Sequence, residues 1–144
     1  MVGLLITGHG HFATGLGSSL KLITGNTENI AYVDFEADHS TDTLTENLNK
    51  AFDGLKGCDG VLVLSDLAGG SPFKCAVECK FAREDQAIEV IAGSNLPMLI
   101  EGSMMMGAFD SPLDMAESLI PTGKDYIIRF ELAAHEDDTE EDGI

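Results

Sequence analysis

The most restrictive feature of the sequence is a regular alternation of short apolar runs with segments of helical hydrophobic period. Val2–Thr7 and Val61–Leu64 are almost wholly apolar, which is typical of parallel strands that are buried on both faces. Ile30–Phe35 and Ala87–Ala92 are the other two strand-like runs. An amphipathic segment follows each run, so the chain is predicted to be an α/β protein with a mostly parallel sheet.

Capping residues and glycines mark where the helices should begin and end. Ser71-Pro72 and Ser111-Pro112 each place an N-cap residue before a proline, so helices are predicted to begin there. Gly123 is predicted to end the second of these helices. The buried face of the helix after Ser71 is predicted to consist of Phe73, Ala76, Val77 and Phe81.

The last apolar stretch differs from the first four. In Tyr126–Phe130 the side chains alternate between the two faces of an extended segment, which predicts an edge or interface strand. Residues 131–144 are small and acidic, and they are predicted to form a disordered tail. Residues 1–130 are therefore expected to form one domain.

The charge of the chain limits its classes of partner. The formal net charge is −17, from 25 acidic and 8 basic residues. This balance argues against a nucleic-acid-binding protein, because such proteins bind phosphates through basic patches. An acidic surface attracts basic partners, or it simply keeps the protein in solution.

Other global features favour a cytoplasmic protein. No apolar run approaches the roughly 20 residues that a membrane-spanning helix needs. Val2–Thr7 lacks a preceding basic region and is interpreted as a strand, not as a signal peptide. The odd set of Cys58, Cys75 and Cys79 argues against a disulfide framework. Cys75 and Cys79, one helical turn apart, are interpreted as core residues in preference to a metal pair.

Polar residues follow three of the predicted strands. His9 follows the first, Asp66 the third, and Ser94 and Asn95 the fourth. Parallel strands joined by right-handed crossovers end at one edge of the sheet, where ligand sites of open α/β sheets lie. We therefore expect His9 and Asp66 to meet there, with His11, Ser94 and Asn95 at the rim of the site.

This combination of residues suits phosphoryl capture by histidine. Asp66 can accept a hydrogen bond from Nδ1–H of His9, which leaves Nε2 as the nucleophile. The helix that begins near Ser71 offers free backbone N–H groups and the positive end of its dipole. Gly70 lets the backbone approach a ligand closely, and the Ser71 hydroxyl is an additional donor. Neither cofactor nor metal is required by this chemistry.

Less specific interpretations of the same residues stay open at this point. His9 can be an ordinary polar residue at a strand end, and Asp66 can be a turn-former. His9 and His11 could bind a metal, although no third ligand is apparent in the sequence. A non-catalytic module that binds a ligand or metal and regulates another protein is therefore an alternative function.

Three sequence blocks carry a resemblance to a known family. They are Ile6–Gly10 after the first strand, Ser65–Phe73 after the third and Val90–Leu99 after the fourth. In this order and spacing they resemble the IIA component of the mannose family of the bacterial sugar phosphotransferase system. The resemblance covers roughly residues 1–130.

The resemblance implies a doubly wound sheet of strand order 2-1-3-4 in a homodimer. The fifth strand, Tyr126–Phe130, would run antiparallel and be exchanged between subunits. His9 would accept a phosphoryl group on Nε2 from the phosphocarrier protein HPr and pass it to a IIB component. Asp66 would be its partner, and Gly70 and Ser71 would hold the phosphoryl oxygens. Membrane IIC and IID components would take part indirectly, in sugar uptake.

The sequence also departs from the family pattern at the mouth of the site. His11 stands where an aromatic residue is common, and Leu67-Ala68 replaces a bulkier pair. The related donor subunit of dihydroxyacetone kinase is an alternative within the same chemistry. Its members lack the Gly-Gly-Ser-Pro that this chain has at Gly69–Pro72. The sugar is not specified by these residues.

Overall fold

The structure is a computed structural model that describes residues 1–26 and 28–132. The predicted acidic tail therefore lies outside the described residues from position 133 onward. Within the described ranges, no helix combines the length and apolar character that crossing a membrane requires.

The centre of the fold is a four-stranded parallel sheet in the order β2-β1-β3-β4. This confirms the predicted fold class and strand order. The strands are β1 (Val2–His9), β2 (Ile30–Phe35), β3 (Gly60–Ser65) and β4 (Ile88–Ile91). Because all four run in one direction, their carboxyl ends lie along the same edge of the sheet.

Helices cover both faces of the sheet, as a doubly wound fold requires. The helices are α1 (Phe12–Ile23), α2 (Thr41–Gly54), α3 (Ser71–Ala82), α4 (Leu96–Met105) and α5 (Pro112–Asp125). A short 3₁₀ segment, Met106–Ala108, follows α4. Alternate residues of β1 face opposite sides of the sheet: Leu4 and Ile6 pack with α1, α4 and α5, whereas Leu5 packs with α2 and α3.

The predicted buried face of α3 was partly wrong. Phe81 is 71% exposed, whereas Cys75 and Cys79 are buried in the core with Ala76. Each residue advances about 100° around a helix, so Phe81, two positions after Cys79, points away from the sheet. Small residues on this face let the helix lie close to the strands. The interpretation of the two cysteines as core residues is confirmed.

The predicted end of α5 at Gly123 was also wrong, because α5 continues to Asp125. Gly123 is buried, and a Cβ added to it would lie 2.8 Å from Cγ of Met98. The glycine thus permits close packing of α5 on α4 rather than termination of the helix. The carbonyl of Gly123 also accepts a hydrogen bond from Nδ2 of Asn95, 3.0 Å away.

Two glycine-to-alanine substitutions test this packing. The added Cβ of Gly15→Ala in α1 meets no atom of the described residues within 4 Å, so this substitution should stabilise the protein by about 0.5–1 kcal/mol through helix propensity. Gly123→Ala gains the same propensity, but it pushes against the buried Met98, and overpacking costs about 1–3 kcal/mol. We expect net destabilisation of about 1 kcal/mol, measured by urea unfolding. Equal effects of the two substitutions would contradict the packing role.

The fifth strand is not formed in the single chain. Residues 126–132 have no regular secondary structure, and Tyr126, Ile127, Ile128 and Phe130 are 64%, 77%, 82% and 81% exposed. An exchanged strand would gain its partners from a second chain, so the exchange and the homodimer stay predictions.

Candidate functional site

The structure brings His9 and Asp66 into contact at the carboxyl edge of the sheet. β1 and β3 are neighbours, with Thr7 opposite Ser65, so the residues that follow these positions emerge side by side. Nδ1 of His9 lies 2.9 Å from Oδ2 of Asp66. The spatial arrangement expected from the strand pattern is therefore present.

Asp66 holds both the ring and the backbone of His9. The backbone N–H of His9 also donates to Oδ2 of Asp66, at 2.9 Å. An ionised carboxylate only accepts hydrogen bonds, so Nδ1 carries the proton in this pair. Nε2 is then the unprotonated nitrogen of a neutral ring, and the His9 side chain is 47% exposed against 16% for Asp66.

Hydrogen bonds from His9 keep Asp66 ionised. Partial burial opposes ionisation, but the backbone and ring N–H groups of His9 hold the pKa of the Asp66 carboxyl below its usual value. The second oxygen, Oδ1, is buried and has no hydrogen-bond partner among the described residues. The two hydrogen bonds from His9 thus hold this side chain through Oδ2.

Gly70 lies directly against the His9 ring. A Cβ at this position would be 2.7 Å from Cε1 of His9 and 3.5 Å from Nε2. The backbone of Gly70, with φ −76° and ψ 165°, is accessible to any residue. Glycine is therefore needed here for the close approach of the ring, whereas Gly69, with φ +81°, is needed for the turn.

The N-terminus of α3 lies beside this edge of the ring. Gly70, not Ser71, is the N-cap, and Ser71 is the first helical residue, so the predicted cap was wrong. The physical reason is that the His9 ring occupies the space that a capping side chain would fill. Since no side chain of the described residues caps α3, its first-turn N–H groups and its dipole are available to an anion.

Phe35 contacts the ring of His9 from the β2 side. The two rings meet edge to face, with centroids 5.9 Å apart and an interplanar angle of 63°. The carbonyl of Phe35 accepts a hydrogen bond from the backbone N–H of Gly10 at 2.8 Å. The sequence reasoning missed this residue, although it ends the strand that neighbours β1.

His11 lies near the site but turns toward β2. Its side chain is 70% exposed, and Nε2 is 3.5 Å from Oε1 of Glu36. Nδ1 of His9 is engaged by Asp66, so the two histidines do not share one role. A metal site built from both rings, one alternative left open by the sequence, gains no support from this arrangement.

Ser94 and Asn95 make hydrogen bonds within the fold, and their place at the rim of the site stays a prediction. Ser94 is only 8% exposed, and its backbone N–H donates to the carbonyl of Ser65 at 3.0 Å. Asn95 caps α4 by accepting from the N–H of Met98 at 3.3 Å, while its Nδ2 binds the carbonyl of Gly123. A polar residue after a strand can either line a ligand site or make hydrogen bonds within the fold, and the sequence alone does not distinguish these two roles.

Comparisons with known proteins agree with this architecture. The family model described as "PTS system fructose IIA component" matches residues 3–119. The chain is 32% identical over 126 residues to the mannose-specific EIIAB component of Escherichia coli K12, covering 88% of this chain and 38% of that protein. It is 36% identical over 101 residues to the fructose-specific EIIA component of Bacillus subtilis, covering 70% of this chain and 68% of that one.

Solved structures show the same fold. The phosphotransferase system component EIIA from Streptococcus agalactiae superposes with a TM-score of 0.83 at 30% identity, covering 90% of this chain and 97% of that one. The mannose/sorbose-specific IIA subunit from Enterococcus faecalis gives a TM-score of 0.81 at 24% identity, covering 93% and 98%. The chain thus spans little more than a third of the E. coli relative but nearly all of these structures. It belongs to the mannose family of IIA components of the sugar phosphotransferase system.

Proposed function

We propose that this chain is a phosphohistidine carrier, which accepts a phosphoryl group from HPr on Nε2 of His9 and passes it to a IIB component. One observation carries the proposal: Asp66 engages Nδ1 of His9 at 2.9 Å, which leaves Nε2 on a side chain that is 47% exposed. A carrier that reacts only with proteins needs such an accessible nitrogen, because its phosphoryl donor and acceptor both dock at the surface.

The transfer needs no cofactor, because one bond to phosphorus forms as another breaks. The lone pair of Nε2 attacks phosphorus, the N–P bond to Nε2 forms, and the bond between phosphorus and the donor's nitrogen breaks and returns its electron pair to that nitrogen. The His9 ring retains the proton on Nδ1, so it acquires positive charge as the bond forms. The ionised Asp66 stabilises this charge. In the transfer to IIB, the nucleophile of IIB attacks phosphorus, the N–P bond to Nε2 breaks, and its electron pair returns to Nε2.

The phosphoryl oxygens would meet N–H donors of the chain itself. Gly70 adjoins Nε2, and the first turn of α3, with Ser71 as its first residue, follows Gly70 directly. Backbone N–H groups at a helix N-terminus bind phosphate well. Neither the turn at 8–11 nor the turn at 66–71 contains Arg or Lys, so the partner would contribute the cations that phosphoryl transfer favours.

Incubation with phosphoenolpyruvate, enzyme I and HPr tests the proposal. The chain should gain one acid-labile phosphate, detected as a mass increase of the intact protein that is lost in acid. Omission of HPr should prevent the gain. Subsequent addition of a IIB component or of dihydroxyacetone kinase subunits distinguishes the proposed acceptor from the alternative one. No phosphate gain in the complete mixture would refute the carrier function.

Substitution of Gly70 tests the position of the ring. Gly70→Ala should lower the rate of phosphorylation by about 10²-fold, because a displacement of roughly 1 Å at a reacting group has effects of this size. The added Cβ would lie 2.7 Å from Cε1 of His9 and force the ring to move. The measurement is single-turnover transfer from phosphorylated HPr. Gly54→Ala is the matched control and should react at the normal rate, because its added Cβ meets no atom within 4 Å in the part of the chain that the structure describes.

A further inference from the structure

A second cluster of ligating side chains lies beside the His9 site. It consists of His11, Asp34 and Glu36, each of which offers one ligand atom within 4.8 Å of the others. Asp34 is in β2 and Glu36 directly follows that strand, and the ligand atoms of both side chains lie within 4.8 Å of each other. His11 joins them from the start of α1, because β1 pairs with β2 and Gly8 lies opposite Asp34.

We propose that His11, Asp34 and Glu36 bind a divalent transition-metal cation of the zinc type. Nε2 of His11 and Oε1 of Glu36 are 3.5 Å apart. Two ligands at roughly 2.0–2.1 Å from a tetrahedral ion are separated by roughly 3.4 Å. The pair therefore already has the spacing of two zinc ligands. The ligand atoms of all three residues lie within 4.8 Å of one another, so movement of the exposed His11 and Glu36 side chains toward Asp34 would complete three ligands, with a fourth position open to water.

The Asp34 carboxylate is held in place as metal-binding carboxylates usually are. Oδ1 accepts a hydrogen bond from the backbone N–H of Thr14 at 3.0 Å, and Oδ2 accepts one from the Thr14 hydroxyl at 2.6 Å. Each oxygen keeps a lone pair for a cation. Hydrogen bonds of this kind orient the ligands around metal sites. The backbone of Glu36 is likewise fixed, since its N–H donates to Nδ1 of His39 at 3.1 Å.

Charge and ligand chemistry select the class of ion. The cluster has two carboxylates, and among the described residues neither forms an ion pair with Lys or Arg. An imidazole favours zinc and its neighbours in the first transition row over Mg²⁺ and Ca²⁺, which prefer oxygen ligands alone. His9 takes no part, because its Nδ1 is bound to Asp66. The proposal therefore does not depend on the phosphoryl-transfer function.

Calorimetric titration of the untagged, unphosphorylated protein with ZnCl₂ tests this site. We expect one zinc ion per chain. His11→Ala and Glu36→Gln should each weaken binding by about tenfold or more, as loss of groups around a metal typically does. Both side chains are largely exposed, at 70% and 48%, so these variants should fold normally. Zinc should also shift the His11 ring signals in histidine NMR spectra, and MgCl₂ should not.

Two control variants identify the ligands. Asp38→Asn removes an acidic charge from the same loop, at a side chain that is 89% exposed, and should leave zinc affinity unchanged. His9→Ala should also retain zinc binding. The proposal is overturned if the wild-type protein binds no zinc, or if His11→Ala binds as well as the wild type. It is equally overturned if Asp38→Asn or His9→Ala weakens binding as much as Glu36→Gln does.

Discussion

Replacement of His9 by alanine is expected to abolish phosphorylation of this chain completely. Under the proposed function, Nε2 of His9 is the only atom that forms a bond to phosphorus. In the part of the chain that the structure describes, His9 is the histidine whose Nδ1 lies 2.9 Å from a carboxylate oxygen while its side chain is 47% exposed. Intact-protein mass measurement after incubation with phosphoenolpyruvate, enzyme I and HPr should then show no added phosphate.

His39→Asn is the matched control for this experiment. Nδ1 of His39 accepts a hydrogen bond from the backbone N–H of Glu36 at 3.1 Å, and an asparagine amide oxygen can take over that acceptor role. This variant should accept phosphate as the wild type does. If His9→Ala still gains one phosphate per chain, another residue is the acceptor and the proposed mechanism is wrong.

The fold could be predicted because its signals are local and repeated. β1 and β3 are buried along their whole length except at His9, and this burial is visible as uninterrupted apolar sequence. The bounds of β2, Ile30–Phe35, were predicted from equally local cues. The end of α5 could not be predicted in this way. Gly123 is present because Met98 of another helix lies against it, which is a contact between segments distant in sequence.

The same distinction explains what could be predicted about the site. His9 and Asp66 follow adjacent parallel strands, so their meeting follows from topology alone. The N-cap of α3 was predicted wrongly as Ser71, because serine is a more favourable N-cap residue than glycine. Here the tertiary contact between Gly70 and the His9 ring overrides that propensity. Phe35 was missed since an aromatic residue at a strand end looks like core in the sequence.

The ligands around His11 show how topology adds to a sequence motif. His9-Gly10-His11 suggests a pair of histidines for one metal. The parallel pairing of β1 with β2 instead brings His11 to Asp34 and Glu36. These acidic residues are separated from His11 by more than twenty positions, so the motif alone could not indicate them. Because of this strand order, His9 contacts Asp66, whereas His11 contacts Glu36.

Asp66→Asn should retain the fold and slow the phosphorylation of His9 by about tenfold to a thousandfold. Asparagine can still accept the hydrogen bonds that His9 gives to Oδ2, so ring position should change little. The negative charge is lost, however. An opposite charge at about 4 Å stabilises the charged imidazole by about 1–4 kcal/mol near a protein surface, and each 1.4 kcal/mol corresponds to a factor of about ten in rate. Single-turnover transfer from phosphorylated HPr measures the rate, and circular dichroism checks the fold.

Asp85→Asn separates the local effect of the charge from a general one. Asp85 is exposed and lies in the turn after α3, so its replacement changes the net charge equally without touching the His9 ring. If both variants slow transfer alike, weaker attraction of a basic partner explains the loss. If Asp66→Asn transfers at the wild-type rate, the carboxylate does not stabilise the charged ring. Slow transfer in Asp66→Asn alone identifies Asp66 as the residue that prepares Nε2 for attack on phosphorus.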